Sequence, residues 1–100
     1  MRIVLIGPMG SGKSSIGKIL AKKINFKFID TDKLIEIQEG IKIKEIFNLK
    51  GESYFRDLEV EVLEETLTAR SAVIATGGGI VQREKSRLLL ENEKSVFFLN

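Results

Sequence analysis

Gly7-Pro8-Met9-Gly10-Ser11-Gly12-Lys13-Ser14 spaces glycines, a lysine and a hydroxyl as G-x-x-x-x-G-K-[ST], between the apolar run at residues 3–6 and a stretch of helical character. Residues of these types at this spacing bind phosphate. Glycines let the loop curl until consecutive N–H groups point inward, the following helix aims its positive dipole end at the same spot, and Lys13 reaches the terminal phosphates. Gly10, Ser11, Gly12, Lys13, Ser14 and Ser15 are therefore the candidate nucleotide-binding residues, with Ser14 placed to ligate magnesium. A Gly/Ser turn that happens to precede a lysine is the bland alternative, and eight positions in the right frame of strand and helix argue against it. The motif implies a nucleoside triphosphate without naming the reaction.

The acceptor side must come from elsewhere, and in an open parallel sheet ligands bind beyond the carboxyl ends of the strands. Asp30-Thr31-Asp32 close the second expected strand, and Thr76 with Gly77, Gly78 and Gly79 closes the third. Many phosphate-loop proteins hold their metal with an Asp at the end of the later strand; here VIAT ends in threonine. Asp30 and Asp32 are the carboxylates best placed to assist magnesium through water or to accept a proton from an attacking hydroxyl. One of them could instead cap the helix starting near Lys33, and for Asp32 spacing alone weighs the two roles equally. Arg56, in FRDLE, reads from pattern alone as half of an ordinary solvent pair with Glu59 or a neighbour. Three glycines directly after a buried strand suggest close approach of backbone to ligand, with a loose connection as the alternative.

Positioning these residues takes alternating strands and helices. Residues 3–6 form a continuous apolar run of the kind buried on both faces of a sheet. Ile16, Ile19, Leu20 and Ile24 recur at helical spacing, with Lys18, Lys22 and Lys23 left for solvent. Residues 26–30 read as a second strand, Leu34, Ile35 and Ile37 begin a helix that Gly40 closes, and a short helix at 44–50 ends at Gly51. A long helix follows from about Ser53 with Phe55, Leu58 and Val62 on one face. Residues 72–76 are a third strand, 83–91 a polar helix and 95–99 a fourth strand. The alternation predicts an α/β fold, a parallel sheet with helices on both faces and right-handed crossovers.

Composition limits the chemistry further. A chain of 100 residues, 43% hydrophobic and 30% charged, is one globular domain with no room for a second. Sixteen basic and 14 acidic residues leave a net charge of +2, too little for a field that would drive binding to nucleic acid or membrane. With no cysteine and no histidine, zinc sites of Cys/His type, thiol nucleophiles and Ser-His-Asp hydrolysis are all excluded. The first apolar run is too short for a signal-peptide core and no run approaches membrane-spanning length, so the expected location is the cytoplasm.

GPMGSGKSS, FIDTD, FRDLE and ATGGG, in this order and at these separations, resemble the shikimate kinases, small phosphate-loop enzymes that phosphorylate the 3-hydroxyl of shikimate with ATP and magnesium on the route to aromatic amino acids. The likeness runs over essentially the whole chain, and TGGG in place of a carboxylate together with D-T-D is its most specific part. It implies a three-layer P-loop NTPase fold, with strand order 2-3-1-4 in these residues. It implies that Lys13 and Ser14 bind phosphates and metal, that Asp30 supports magnesium through water, and that Asp32 holds the reacting hydroxyl as base or positioner. Arg56 is then the partner of the substrate carboxylate, and Gly77, Gly78 and Gly79 line the same pocket. This overturns the surface-pair reading of Arg56 and the cap reading of Asp32. Family members continue past the equivalent of Asn100 into an arginine-bearing lid, a second substrate arginine and an adenine-contacting loop. The expectation is therefore an N-terminal portion of a kinase domain, residues 1–100, without its fifth strand and with weak turnover by itself. The intact enzyme is expected to be a monomer that takes ATP and shikimate and binds neither nucleic acid nor membrane. The rivals are another small-molecule kinase of gluconate-kinase type and a non-catalytic nucleotide-binding module; a regulatory GTPase is disfavoured because strand 3 lacks D-x-x-G.

Overall fold

Alternate residues of the short apolar runs face opposite ways, and that single fact builds the layers. Val4, Ala72 and Ile74 pack with Leu63, Ile80 and Leu90 on one face of a sheet, while Ile3, Leu5 and Val73 pack with Ala21 on the other. In the computed structural model, which describes residues 1–100, the elements run β1 (Arg2–Ile6), α1 (Lys13–Ile24), β2 (Lys27–Asp30), α2 (Thr31–Glu39), α3 (Ile43–Thr66), β3 (Ala72–Ala75), a 3-10 turn (Ile80–Gln82), α4 (Glu84–Glu91) and β4 (Val96–Phe98). The four strands are parallel and ordered β2-β3-β1-β4, the expected order. β3 is fully buried along its length because it lies between two strands and under two helix layers. The register sets Asp30 beside Ala75, so both acceptor-side strand ends stop at one level.

The first helix departs from the sequence expectation. Ile16, Ile19 and Ile24 are exposed, and the face turned to the sheet is Lys13, Gly17 and Ala21. Small residues win there because the helix lies close to β2: a Cβ on Gly17 would stand 2.6 Å from the Phe28 ring. Apolar period alone picked the wrong stripe. On β4, Phe97 and Phe98 are likewise exposed at the sheet's edge.

Two boundaries also move. α2 starts at Thr31 rather than near Lys33, and Asp30 is its N-cap, accepting from the amides of Asp32 at 3.0 Å and Lys33 at 3.2 Å. Asp32 is thus not the cap; it lies inside the first turn. The helices expected on either side of Gly51 abut to form α3, which bends where Gly51 takes φ 87° and ψ 168°. A left-handed φ with an extended ψ cannot continue a helix, and glycine adopts it without a Cβ penalty. The two pieces are held together from below, since Ile46 precedes the bend, Phe55 and Val62 follow it, and all three pack with Ile35 of α2. No helix is long and apolar enough to cross a membrane.

Candidate active site

The loop between β1 and α1 is built to leave donors free. Gly12 caps α1 in the left-handed region, φ 87°, without any side-chain cap bond, and the first turn carries no acidic residue. The opening amides of α1 and the positive end of its dipole therefore face an anion-sized space. Lys13 is almost wholly buried, its Nζ donating to the carbonyls of Gly7 at 2.6 Å and Pro8 at 2.8 Å and lying 3.4 Å from Ser11 Oγ. The ammonium is thus arched over the loop that carries it. Gly10, Gly12, Lys13, Ser14 and Ser15 line a cleft of about 240 Å³ with Asp30, Asp32, Thr76, Gly77 and Gly78.

Asp30 works in two directions. While Oδ1 caps α2, Oδ2 accepts from Ser14 Oγ at 2.7 Å. Ser14 and Asp30 thus present a hydroxyl and a carboxylate side by side, the hard oxygen donors that magnesium prefers. No group of three or more His, Cys, Asp or Glu residues gathers as a metal cage. Thr76, where a metal-binding carboxylate might have stood, is buried and donates its hydroxyl to the Leu5 carbonyl at 2.9 Å, tying β3 to β1.

Asp32 is half-buried, and Oδ1 makes no hydrogen bond. Burial, aided by the negative charges of Glu59, Asp30 and Glu36 and opposed by Lys13, raises its pKa from 3.8 to about 6. A carboxylate so placed is a ready proton acceptor near neutral pH.

Arg56 does pair with Glu59, at 2.7 Å and out of solvent, and with the exposed Glu52, at 3.3 Å. Its side chain is 16% exposed, lies over the rings of Phe55 and Phe47 at 5.3 and 5.9 Å, and leaves Nη2 without a partner in the chain. Burial works against its charge, yet the bonds to Glu59 and Glu52 outweigh this and raise its pKa. Glu59 is the residue that sequence reasoning placed on the surface: it is buried, burial pushes its carboxyl up, and Arg56 pulls the other way. The signal was there, because 55, 59 and 62 follow i, i+4, i+7 and put Glu59 in the buried stripe with Phe55 and Val62.

The triple glycine is where the parts meet. A Cβ on Gly77 would collide with Asp32 Oδ1, one on Gly78 would stand 3.0 Å from the Met9 amide nitrogen, and one on Gly79 would collide with Arg56 Nη1. Backbone without side chains lets the phosphate loop, the candidate proton acceptor and the guanidinium converge on one strand end.

A parallel sheet in this order, with a glycine-rich loop passing from its first strand into a helix N-terminus, is a P-loop NTPase fold. The chain belongs to the shikimate kinase family: the family model for shikimate kinase matches residues 9–100. A shikimate kinase of Sulfurihydrogenibium is 50% identical over 98 residues, covering 98% of this chain and 59% of that protein. Among solved structures, shikimate kinase from Aquifex aeolicus superposes with a TM-score of 0.93 at 41% identity, covering all of this chain and 60% of that one. Shikimate kinase from Acinetobacter baumannii in complex with shikimate gives 0.95 at 39%, covering 98% of this chain and 55% of that one. The chain thus spans a little over half the length of the proteins it resembles.

Proposed function

We propose that these residues carry the nucleotide loop and part of the acceptor pocket of an enzyme that transfers the terminal phosphoryl group of ATP to the 3-hydroxyl of shikimate, in the cytoplasm. The observation that carries the reading is the convergence at Gly77, Gly78 and Gly79 of an anion-binding loop, an unpaired buried carboxylate and a guanidinium with a free Nη2. A polyhydroxylated carboxylate needs one cation fork and one hydroxyl acceptor, and a triphosphate needs backbone amides and a lysine.

In this reading the amides of Gly10, Ser11, Gly12 and the opening turn of α1 take the phosphates, and Lys13 exchanges its loop carbonyls for phosphate oxygens. Ser14 and, through water, Asp30 hold the magnesium ion that accompanies ATP. When bound, that ion offsets charge on the transferring group. Arg56 Nη2 takes the acceptor carboxylate, with Glu59 fixing the plane of the guanidinium from the opposite side. The Asp32 carboxylate accepts the hydrogen bond of the reacting hydroxyl and then its proton, as the new oxygen–phosphorus bond forms and the bond from the terminal phosphorus to ADP breaks. The Gly77 to Gly79 backbone closes the pocket without a side chain to compete for it.

The test is a coupled assay of ADP release on the full-length protein, with shikimate and a panel of other small alcohols including gluconate. Shikimate is expected to be the acceptor consumed, Arg56→Ala to raise its KM, and Asp32→Asn to lower kcat. Nucleotide binding with no acceptor consumed, or preference for gluconate, overturns the proposal.

A further inference from the structure

Arg83 follows the 3-10 turn that leads out of the triple glycine, and its side chain reaches across to α3. Nη2 donates to the Ser53 hydroxyl at 2.9 Å and the Ser53 carbonyl at 3.1 Å and lies 3.3 Å from Asp57 Oδ1. Ser53 stands three residues before Arg56 and Asp57 one after it, so the grip straddles the turn that projects Arg56. That turn needs a grip, because Gly51 breaks the helix two residues before Ser53 and the piece carrying Arg56 restarts there without continuity from residues 43–50.

The other end of the connection is equally firm. Gln82 N donates to Gly79 O at 3.0 Å and Ile80 N to Gly77 O at 3.2 Å, so Gly79 opens a hydrogen-bonded turn that closes at Gln82, directly before Arg83. Ile80 anchors that turn in the core beside Val4 and Leu63. Arg83 O in turn accepts from Arg87 N at 3.2 Å, at the start of α4. Gly79 touches the tip of Arg56, and Arg83 holds the backbone beneath it. The path from Gly79 to Arg83 to Ser53 to Arg56 and back is a closed ring of contacts. Lys85, which reaches Glu64 at 3.9 Å, meets α3 two turns further on and cannot do the same.

We propose that Arg83 is a positioning residue for the acceptor site, clamping the turn after the triple glycine to the restart of α3 and thereby fixing the Arg56 guanidinium against Gly79. The inference rests on the reading of Arg56 as the partner of the acceptor carboxylate. Asp57 is exposed, and an exposed ion pair contributes little. Ser53 is exposed as well, so the grip is one of geometry: Nη2 is held by both the hydroxyl and the carbonyl of Ser53, while Arg83 Nε is buried without a partner.

The experiment uses the full-length protein with Arg83→Met, which keeps the stem, and Arg83→Lys, which keeps a charged donor of shorter reach. Arg83→Met should raise the KM for shikimate about three- to tenfold, in the lower part of the range of coupling between contacting residues, with kcat and the ATP KM within about twofold. Arg83→Lys should recover part of the loss. In an Arg56→Ala background Arg83→Met should add nothing, whereas a general structural role would persist there. Independently of any substrate, the Arg56 Nε–Hε NMR resonance of the ligand-free protein should shift or broaden in Arg83→Met. An unmoved resonance overturns the inference, as does an undiminished KM effect without Arg56, or an unchanged KM in a protein where Arg56→Ala raises it. If Arg56→Ala itself leaves the KM unchanged, the proposed function fails while the resonance still decides the clamp.

Discussion

Ser14 and Asp30 meet at 2.7 Å, hydroxyl to carboxylate, across the gap between the phosphate loop and the end of β2. Because the other oxygen of Asp30 caps α2, one side chain joins the nucleotide half of the site to the element that carries Asp32. Asparagine caps a helix about as well as aspartate but carries no charge for a cation, whereas alanine does neither. Asp30→Asn is therefore expected to keep stability within about 0.5 kcal/mol, and Asp30→Ala to lose about 1–2 kcal/mol in urea denaturation. Both should weaken magnesium-dependent nucleotide binding. Equal stability loss in the two variants would show that the cap is not what Asp30 contributes.

Lys13 is buried over carbonyls that a phosphate must displace it from, so its removal frees the loop rather than breaking the core. Lys13→Ala should weaken ATP binding about ten- to a hundredfold, the worth of one or two charge-assisted hydrogen bonds of roughly 1.5–3 kcal/mol, in a chain that still folds. Calorimetric titration with magnesium-ATP checks it, and unchanged affinity in a folded variant rules out the phosphate-loop role.

Gly77 and Gly79 offer a separation of roles, because the same added methyl presses a different functional group at each. Neither residue has a left-handed φ, so alanine fits the backbone at both positions. At Gly79 it meets the flexible end of Arg56, and at Gly77 the carboxylate of Asp32. Gly79→Ala is expected to act mainly on the shikimate KM and Gly77→Ala mainly on kcat, each by about tenfold or more, since misplacing a reacting group by about 1 Å can cost 10²-fold. Steady-state kinetics on the full-length protein with both variants decides it; identical profiles would mean that the triple glycine acts as one spacer.

The layer order and the phosphate loop were legible because each rests on local pattern: apolar runs of strand length, helical stretches between them, and a motif whose spacing is its mechanism. What escaped was decided by tertiary neighbours. Spacing left the cap open between Asp30 and Asp32 until backbone geometry assigned it to Asp30. Glu59 read as a surface partner because its charge outweighed its place in the apolar stripe, and only the buried guanidinium beside it explains how a carboxylate sits there. On α1 the isoleucines read as the core face, but the closeness of helix to sheet favoured Gly17 and Ala21. The triple glycine reads in the sequence as a place where backbone approaches a ligand, and what approaches it from within the chain is Asp32, Met9 and Arg56.

Asp32 sets function against stability, and the conflict has a pH signature. Its folded pKa of about 6 lies above the ordinary 3.8, so between those values the folded chain holds a proton that the unfolded chain has released. Stability contributed by that proton is full below about pH 4, falls as pH rises toward 6 and is gone above it. Asp32→Asn removes the charge that burial penalises. In ligand-free protein it should therefore be more stable than the parent at pH 8, by about 1–3 kcal/mol, and should lose that advantage near pH 4, where the parent carboxyl is already neutral. Over the same comparison turnover with shikimate should drop by about 10²–10⁴, since the amide cannot take the hydroxyl proton. Urea denaturation at the two pH values, without nucleotide or magnesium, gives the first result and steady-state kinetics the second. A stability gain of equal size at both pH values would locate the effect in packing around Gly77, and unchanged turnover would remove Asp32 from the chemistry.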